Sequence, residues 1–264
     1  MSALSIKSED VTAFQALFPG YSQAHGIFKI NGLDPLTKKK KGKAQTKRCE
    51  APTSAWQQHL TGAPTGLGII PLLDDGVSVN WAAIDIDVND IDHTSLEEKV
   101  VKLGLPLIVC RSKSGGAHCY LFLKNCCLAK DVVDALSNWS AALGYPGVEI
   151  FPKQTVREIE PETRKPRPGN WINLPYFEAK NTERYCIHRG KRLSLREFMD
   201  MAEANRADQG DLGIRHIAAF CQENAQSEKS LEGRNGYLFS RACSMRKSGM
   251  LENEIYEAII AINQ

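Results

Sequence analysis

Up to Asn205 the apolar positions of this chain switch between helical spacing and short strand-like runs, with turn residues between them. Ser8 to Leu17 predicts a helix opened by Ser-Glu-Asp, and HGIFKI a strand. TSAWQQHL (Thr53 to Leu60) predicts a second helix, GLGIIPLL a buried strand ended by Asp-Asp-Gly, and VNWAAIDIDV another strand. HTSLEEKVVKLG reads as a helix with capping-box pairs Thr94/Glu97 and Ser95/Glu98 and a stop at Gly104. PLIVCRS and AHCYLFL predict two strands joined by the glycine turn KSGG. An amphipathic helix, AKDVVDALSNWSAALG, and a short strand, GVEIFP, come next. A proline-rich charged loop then leads to the strand-like WINLPYF, a hairpin turning at Arg189-Gly190, and the helix SLREFMDMAEAN.

Beyond Asn205 strand signals cease. The pattern predicts an α+β domain over residues 1–205, a linker near RADQGDLG and a small all-helical module within 206–264. The chain closes on EAIIAINQ, at the end of an apolar helical run, as expected of one part of a longer polypeptide.

One strand carries an anomaly. Asp85 and Asp87 stand two residues apart in VNWAAIDIDV and so share a face, while Ile84, Ile86 and Val88 point the other way, toward a core. An unpaired buried carboxylate is costly. Two of them, about 6.5 Å apart along a strand, suit one or two hard cations. Glu149 in GVEIFPKQ is a third acid in an apolar strand, with Val148 and Ile150 on the opposite face. Alone, Glu149 reads as an edge residue and Asp85 as a turn cap; together the acids point to a metal site. With no histidine or cysteine beside them, oxygen ligands favour Mg²⁺ or Mn²⁺ over zinc. Magnesium held by two or three carboxylates keeps positions open for phosphate oxygens, which points to phosphoryl or nucleotidyl transfer.

The hairpin CRSKSGGAHCYLFL adds donors. Gly115 and Gly116 let backbone amides approach an anion, and Arg111, Lys113 and Ser114 surround them. His118 opens the return strand as a candidate triphosphate contact, sharing a face with Tyr120 and Phe122, while Cys119, Leu121 and Leu123 share the other. Taken alone, this segment reads better as a hairpin with an incidental histidine.

Composition narrows the classes. With 42% hydrophobic and 24% charged residues over 264, the chain is expected to be a soluble cytoplasmic protein, without a membrane span or a secretion signal. Eight cysteines form no C-x-x-C pair, and Cys110, Cys119, Cys221 and Cys243, set in apolar runs, read as small buried hydrophobes. Net charge is only +2, but TKKKKGKAQTKR (Thr37 to Arg48) is densely basic, a solvated flexible loop or a phosphate-backbone contact through Lys38, Lys39, Lys40 and Lys41.

Asp-x-Asp in a strand, then Ser-x-x-x-His after a glycine turn, then an acid in a short strand resembles the archaeo-eukaryotic primase superfamily. IDIDVND, CRSKSGGAHCYLF, VEIFPKQ and GNWINLPYF are similar to the primase-polymerase domains of phages, plasmids and mobile elements, and the likeness runs from about AHGIFKI to SLREF. It implies an RRM-like antiparallel-sheet catalytic core in which Asp85, Asp87 and Glu149 hold two divalent ions. Ser114 and His118 would bind the triphosphate of an incoming NTP or dNTP, with Lys113 and Lys153 near it and Arg111 and Asn173 in the same pocket. Glu149 is one methylene longer than the aspartate common among relatives, and the cysteine spacing gives no support for the zinc motif of cellular ones. EGRNGYLFSRACSMRKSGMLENEIYEAIIAINQ resembles a primase C-terminal helical module of the kind that precedes a helicase. There Leu238, Ala242 and Met245 keep helical spacing, leaving Arg234, Arg241 and Arg246 for solvent or for template DNA. The implied activity is DNA-templated synthesis and extension of primers on single-stranded DNA.

The rivals differ in their demands. A metal-dependent nuclease would want an acid-x-lysine pairing, and Lys153 lies four residues past Glu149. A Toprim enzyme carries its glutamate before Asp-x-Asp, and a rolling-circle initiator two histidines in one strand with a nucleophilic tyrosine. A non-catalytic single-strand-binding module would instead stack bases on Tyr120, Phe122 and Phe151.

Overall fold

The computed structural model describes residues 6–33, 40–63, 65–88 and 90–212, with Leu238, Met245 and Ile259 as isolated helical positions. Helix α1 (Ser8–Leu17) leads into a hairpin of β1 (His25–Leu33) and β2 (Lys40–Lys47), followed by α2 (Thr53–Thr61) and β3 (Thr65–Ile69). Next come β4 (Ser78–Ile86), α3 (His93–Lys102), β5 (Ile108–Arg111), β6 (Ala117–Leu128), α4 (Ala129–Ala142) and β7 (Glu149–Phe151). Then β8 (Ile172–Asn173), the hairpin β9 (Ile187–His188) and β10 (Lys191–Arg192), α5 (Leu195–Ala204) and a 3₁₀ turn (Gln209–Leu212) complete the described part.

Two four-stranded sheets result, ordered β2-β1-β3-β8 and β5-β6-β4-β7, with every pairing inside them antiparallel. The run β4-α3-β5-β6-α4-β7 places its first strand beside its third, the split β-α-β arrangement of RRM-like sheets. The fold is therefore the expected α+β type.

Period-two alternation gives this second sheet two buried faces. Ala82, Ile84, Ile86, Cys119, Leu121 and Leu123 pack under Leu96 and Val100 of α3 and Val132, Leu136 and Trp139 of α4. Trp81, Ala83, Tyr120 and Phe122 face the opposite way, against Phe14 of α1, Trp56 and Leu60 of α2, Phe198 of α5 and Leu67 and Ile69 of β3. Tyr120, Phe122 and Phe151 are thus core residues, at 0%, 1% and 5% exposure, and offer no surface for stacked bases.

Several local expectations give way to tertiary context. The basic run is not a loop from Lys40 onward: its backbone is β2, and Ala44 and Gln45 stand opposite Phe28 and Ile27. Pairing satisfies the outer edge of β1, while lysine stems can lie along the strand with their ammonium groups in water. Lys38 and Lys39 lie outside the described residues, as do the side chains of Lys40 and Lys41. Helix α3 begins at His93, where the expected stretch begins, but its cap is Asp92 rather than Thr94 or Ser95: Asp92 accepts from the amides of Thr94 and Ser95 at 3.0 and 3.1 Å. Val88, past the end of β4, is 44% exposed rather than buried. The stretch expected as a linker packs on the sheet: Ala207 bridges to Leu123, Arg206 donates to the Leu123 carbonyl at 2.8 Å, and Leu212 is buried. The expected C-terminal module, with Arg234 and Arg241, falls outside the described residues. All six described cysteines are free. No helix among the described residues is long and apolar enough to cross a membrane.

Candidate active site

Strand β4 runs between β6 and β7, and register sets Asp85 directly opposite both His118 and Glu149. Antiparallel partners share a face, so three polar side chains form one row across three adjacent strands. Asp87 lies just past the end of β4, where the β5–β6 turn folds over it. Ser114 of that turn donates to Asp87 Oδ1 at 3.1 Å. The glycines make the approach possible: Gly115 has φ +101°, and a Cβ on Gly116 would lie 2.2 Å from the Ile86 carbonyl oxygen. Their polar groups serve the turn itself, since the Gly115 amide donates to Ser112 O at 3.3 Å and Gly116 O accepts from Ser112 at 2.8 Å. His93 Nε2 lies 2.9 Å from the same Gly116 oxygen.

Each acid of the row has a partner. His118, 7% exposed, holds Nε2 3.3 Å from Asp85 Oδ1. Lys153 reaches Glu149 Oε1 at 2.6 Å. Among the described residues no three His, Cys, Asp or Glu side chains converge as a metal-ligand group. The donor chemistry nevertheless fits a hard cation. Two carboxylates face each other on β4 and β7 and the third lies just past β4, and among the described residues they meet a histidine, an ammonium group and a hydroxyl, contacts that a cation can replace. Glu149, with 59% of its side chain exposed, has room to swing toward Asp85, which is 23% exposed.

The other predicted residues divide. Lys113 rests its ammonium 3.3 Å from the centroid of the Phe28 ring. Burial holds its pKa below the usual lysine range, helped by the nearby Arg184 charge and opposed by Asp87. Arg111 donates to the Glu183 carbonyl at 3.1 Å, with its Nη2 beside the Gly115 turn. Asn173 sits on β8 with its side-chain oxygen buried and without a hydrogen-bond partner, the kind of orphaned acceptor that a ligand donor would satisfy.

Two residues beside the site were not anticipated in this role. Arg184 is 6% exposed, and burial lowers its pKa to about 10, so it stays cationic at neutral pH. It donates to Leu174 O at 3.3 Å and lines, with Lys113, Phe177, Glu178, Asn181 and Glu183, a cleft of about 210 Å³. In TERYCI it looks like any charged residue of a turn, and nothing in its spacing marks it. Tyr120 was predicted to share the face of His118, and its hydroxyl lies 3.0 Å from His118 Nδ1.

Comparison with known proteins adds one family match: residues 226–264 match Primase C terminal 1 (PriCT-1). The C-terminal tail is therefore similar to the module expected there. No curated protein matches the chain. Among solved structures it is similar to the AEP domain of the cyanophage S-2L primase-polymerase, at 13% identity and TM-score 0.40, covering 74% of this chain and 98% of that one. It is also similar to the primase RepB', at 11% identity and TM-score 0.35, covering 96% and 86%. A RepB' catalytic domain in complex with initiator DNA matches at 9% identity and TM-score 0.30, covering 84% and 98%. The topology itself rests on this chain's own strand register.

Proposed function

We propose that the chain is a DNA-template-dependent nucleotidyltransferase, a primase-polymerase that makes and extends primers on single-stranded DNA in the replication of a phage, plasmid or mobile element. The observation that carries this reading is the row Asp85–His118–Glu149 on adjacent strands, with Asp87 and Ser114 at its end. Acids and an anion-binding histidine meet there at one rim of a sheet whose faces are otherwise apolar. The PriCT-1 match at residues 226–264 supports it independently.

Asp85, Asp87 and Glu149 would hold two Mg²⁺ or Mn²⁺ ions, which when bound activate the primer 3′-hydroxyl and neutralise the triphosphate. Ser114 and His118 bind the triphosphate of an NTP or dNTP, and Lys113 adds a cation on the same side. Lys153 restrains Glu149 until the acid is needed. Arg184, buried near Lys113, adds a second cation on that side. The basic run from Lys38 to Lys41, with Arg234 and Arg241 of the tail, contacts the DNA backbone. The chain works in the cytoplasm as two units, a catalytic one over residues 1–205 and a helical one within 206–264, with a helicase fused or associated downstream. The packing of Ala207 and Leu212 on the sheet supports drawing the end of the first unit at Leu212 rather than at 205.

A priming assay on unprimed single-stranded DNA, with Mg²⁺ or Mn²⁺ and labelled nucleotide, tests this. Short products from the unaltered protein that vanish with Asp85→Ala/Asp87→Ala are expected. Absence of synthesis on both unprimed and primed templates, with DNA binding intact, would put the non-catalytic binding module in its place.

A further inference from the structure

We infer that Tyr120 is a positioning residue for His118, its hydroxyl deciding which imidazole nitrogen faces the nucleotide; this rests on the nucleotidyltransferase reading above. Tyr120 follows His118 by two residues on β6 and is fully buried. Its oxygen lies 3.0 Å from His118 Nδ1 and 3.2 Å from the Asn173 carbonyl oxygen. A phenol has one hydrogen to give, and a carbonyl can only accept. With the phenol donating to Asn173, both contacts are satisfied only if His118 Nδ1 carries a proton and donates to the phenol oxygen. Nε2 is left as the nitrogen that faces Asp85, 3.3 Å away, and the site.

The consequence is orientation. A histidine ring has two broad orientations related by a half-turn about its second torsion, and the Tyr120 hydroxyl rewards only one of them. Burial pushes the phenol's pKa well above its ordinary value, so the donor persists through the working pH range. Asn173 belongs to β8 of the first sheet, whereas Tyr120 and His118 belong to β6 of the second. The pair of hydrogen bonds thus ties His118 to a strand of each sheet. Ring packing against Phe18, Trp81 and Phe122 holds Tyr120 in place independently of the hydroxyl. Tyr120→Phe should therefore remove the hydrogen bonds and little else.

The test is dATP binding in Mg²⁺ by the full chain, unaltered and as Tyr120→Phe, His118→Ala and the double variant, each checked for a cooperative melt. Tyr120→Phe should weaken dATP about tenfold, the loss of one hydrogen bond to a charged or aligned partner, and leave template DNA affinity unchanged. The double variant should bind no more weakly than His118→Ala, since both changes act through one ring. Nitrogen-15 spectra of the unaltered protein should show a protonated His118 Nδ1, and Tyr120→Phe should mix the tautomers. A bare Nδ1 in the unaltered protein overturns the proposal even if the variant fails to fold. So does normal dATP binding by Tyr120→Phe when His118→Ala is impaired, or additive losses in the double variant. Unimpaired binding by His118→Ala overturns instead the assignment of that histidine to the triphosphate.

Discussion

The two faces of the second sheet are drawn from the same strands and differ by a single residue step. On the face under α3 and α4 every inward position of β4 and β6 is aliphatic or small, from Ala82 to Ile86 and from Cys119 to Leu123. The other face begins the same way, with Trp81, Ala83, Tyr120 and Phe122 in a core, and then turns polar at Asp85 and His118. That change coincides with the end of the covering layer: Asp85 is partly open at 23%, and Asp87 lies beyond the strand. A buried face supplies stability, and chemistry is placed where the same face runs out of cover and charges can keep contact with water or ligand. Stability and function are thus separable at residues one step apart.

Substitutions on the two faces should expose that separation. The largest effect belongs to Asp85→Asn, which should lower nucleotide incorporation by about 10³-fold, equivalent to about 4 kcal/mol. Its melting temperature should stay near that of the unaltered protein, and a parallel collapse of folding would erase the distinction between the faces. Next is Ile84→Ala, one residue away and fully buried. It should cost about 3 kcal/mol in denaturant unfolding while the folded fraction keeps its turnover.

A third measurement concerns the first sheet's attachment to α2. His59, fully buried, accepts from the Leu67 amide at 3.0 Å and donates to Pro175 O at 2.7 Å. Burial lowers its pKa from 6.5 to about 3, against the raising effect of the Pro175 hydrogen bond. The unfolded chain takes up this proton below pH 6.5 and the folded one does not until about pH 3, so this contribution falls as pH drops through that window. At about 1.4 kcal/mol per pH unit, unfolding at pH 5 should show about 2 kcal/mol less stability than at pH 7 from this group. His59→Gln should be less stable overall but lose less on acidification. The smallest effect is on the basic strand. Alanine at the lysines from Lys38 to Lys47 should weaken DNA binding and reduce its salt slope by about 0.7 for each single-strand phosphate that is no longer neutralised. Incorporation at saturating DNA should stay nearly unchanged, because the run is assigned to DNA affinity and not to the chemistry of the acids; loss of the chemical step would overturn that assignment.

Much of this was legible in the chain because it depends on local rules. Strand alternation assigned Ile84 and Ile86 to one face and Asp85 to the other, and predicted that His118 and Tyr120 share a side. Glycine and proline punctuation located the β5–β6 turn and the Arg189-Gly190 hairpin. The rules failed where a non-local partner outweighed local preference. The lysine run reads as a solvated loop until β1 offers it an edge, and Thr94 reads as a cap until Asp92 reaches both amides first. RADQGDLG reads as a linker until Ala207 finds Leu123.

The sequence by itself determined which residues carry charge in strands otherwise built to be buried, and hence the candidate chemistry: Asp85, Asp87, Glu149, His118, Ser114 and Lys113. Only the tertiary structure decided which of them meet. The register of β4 with β6 and β7 put Asp85 between His118 and Glu149, and the fold of a distant turn brought the buried Arg184 alongside Lys113. It also made the Asn173 backbone carbonyl the acceptor for Tyr120. Period and propensity act over a few neighbouring residues. Pairing register and burial are settled by the packing of elements far apart in the chain, and no local pattern encodes them alone.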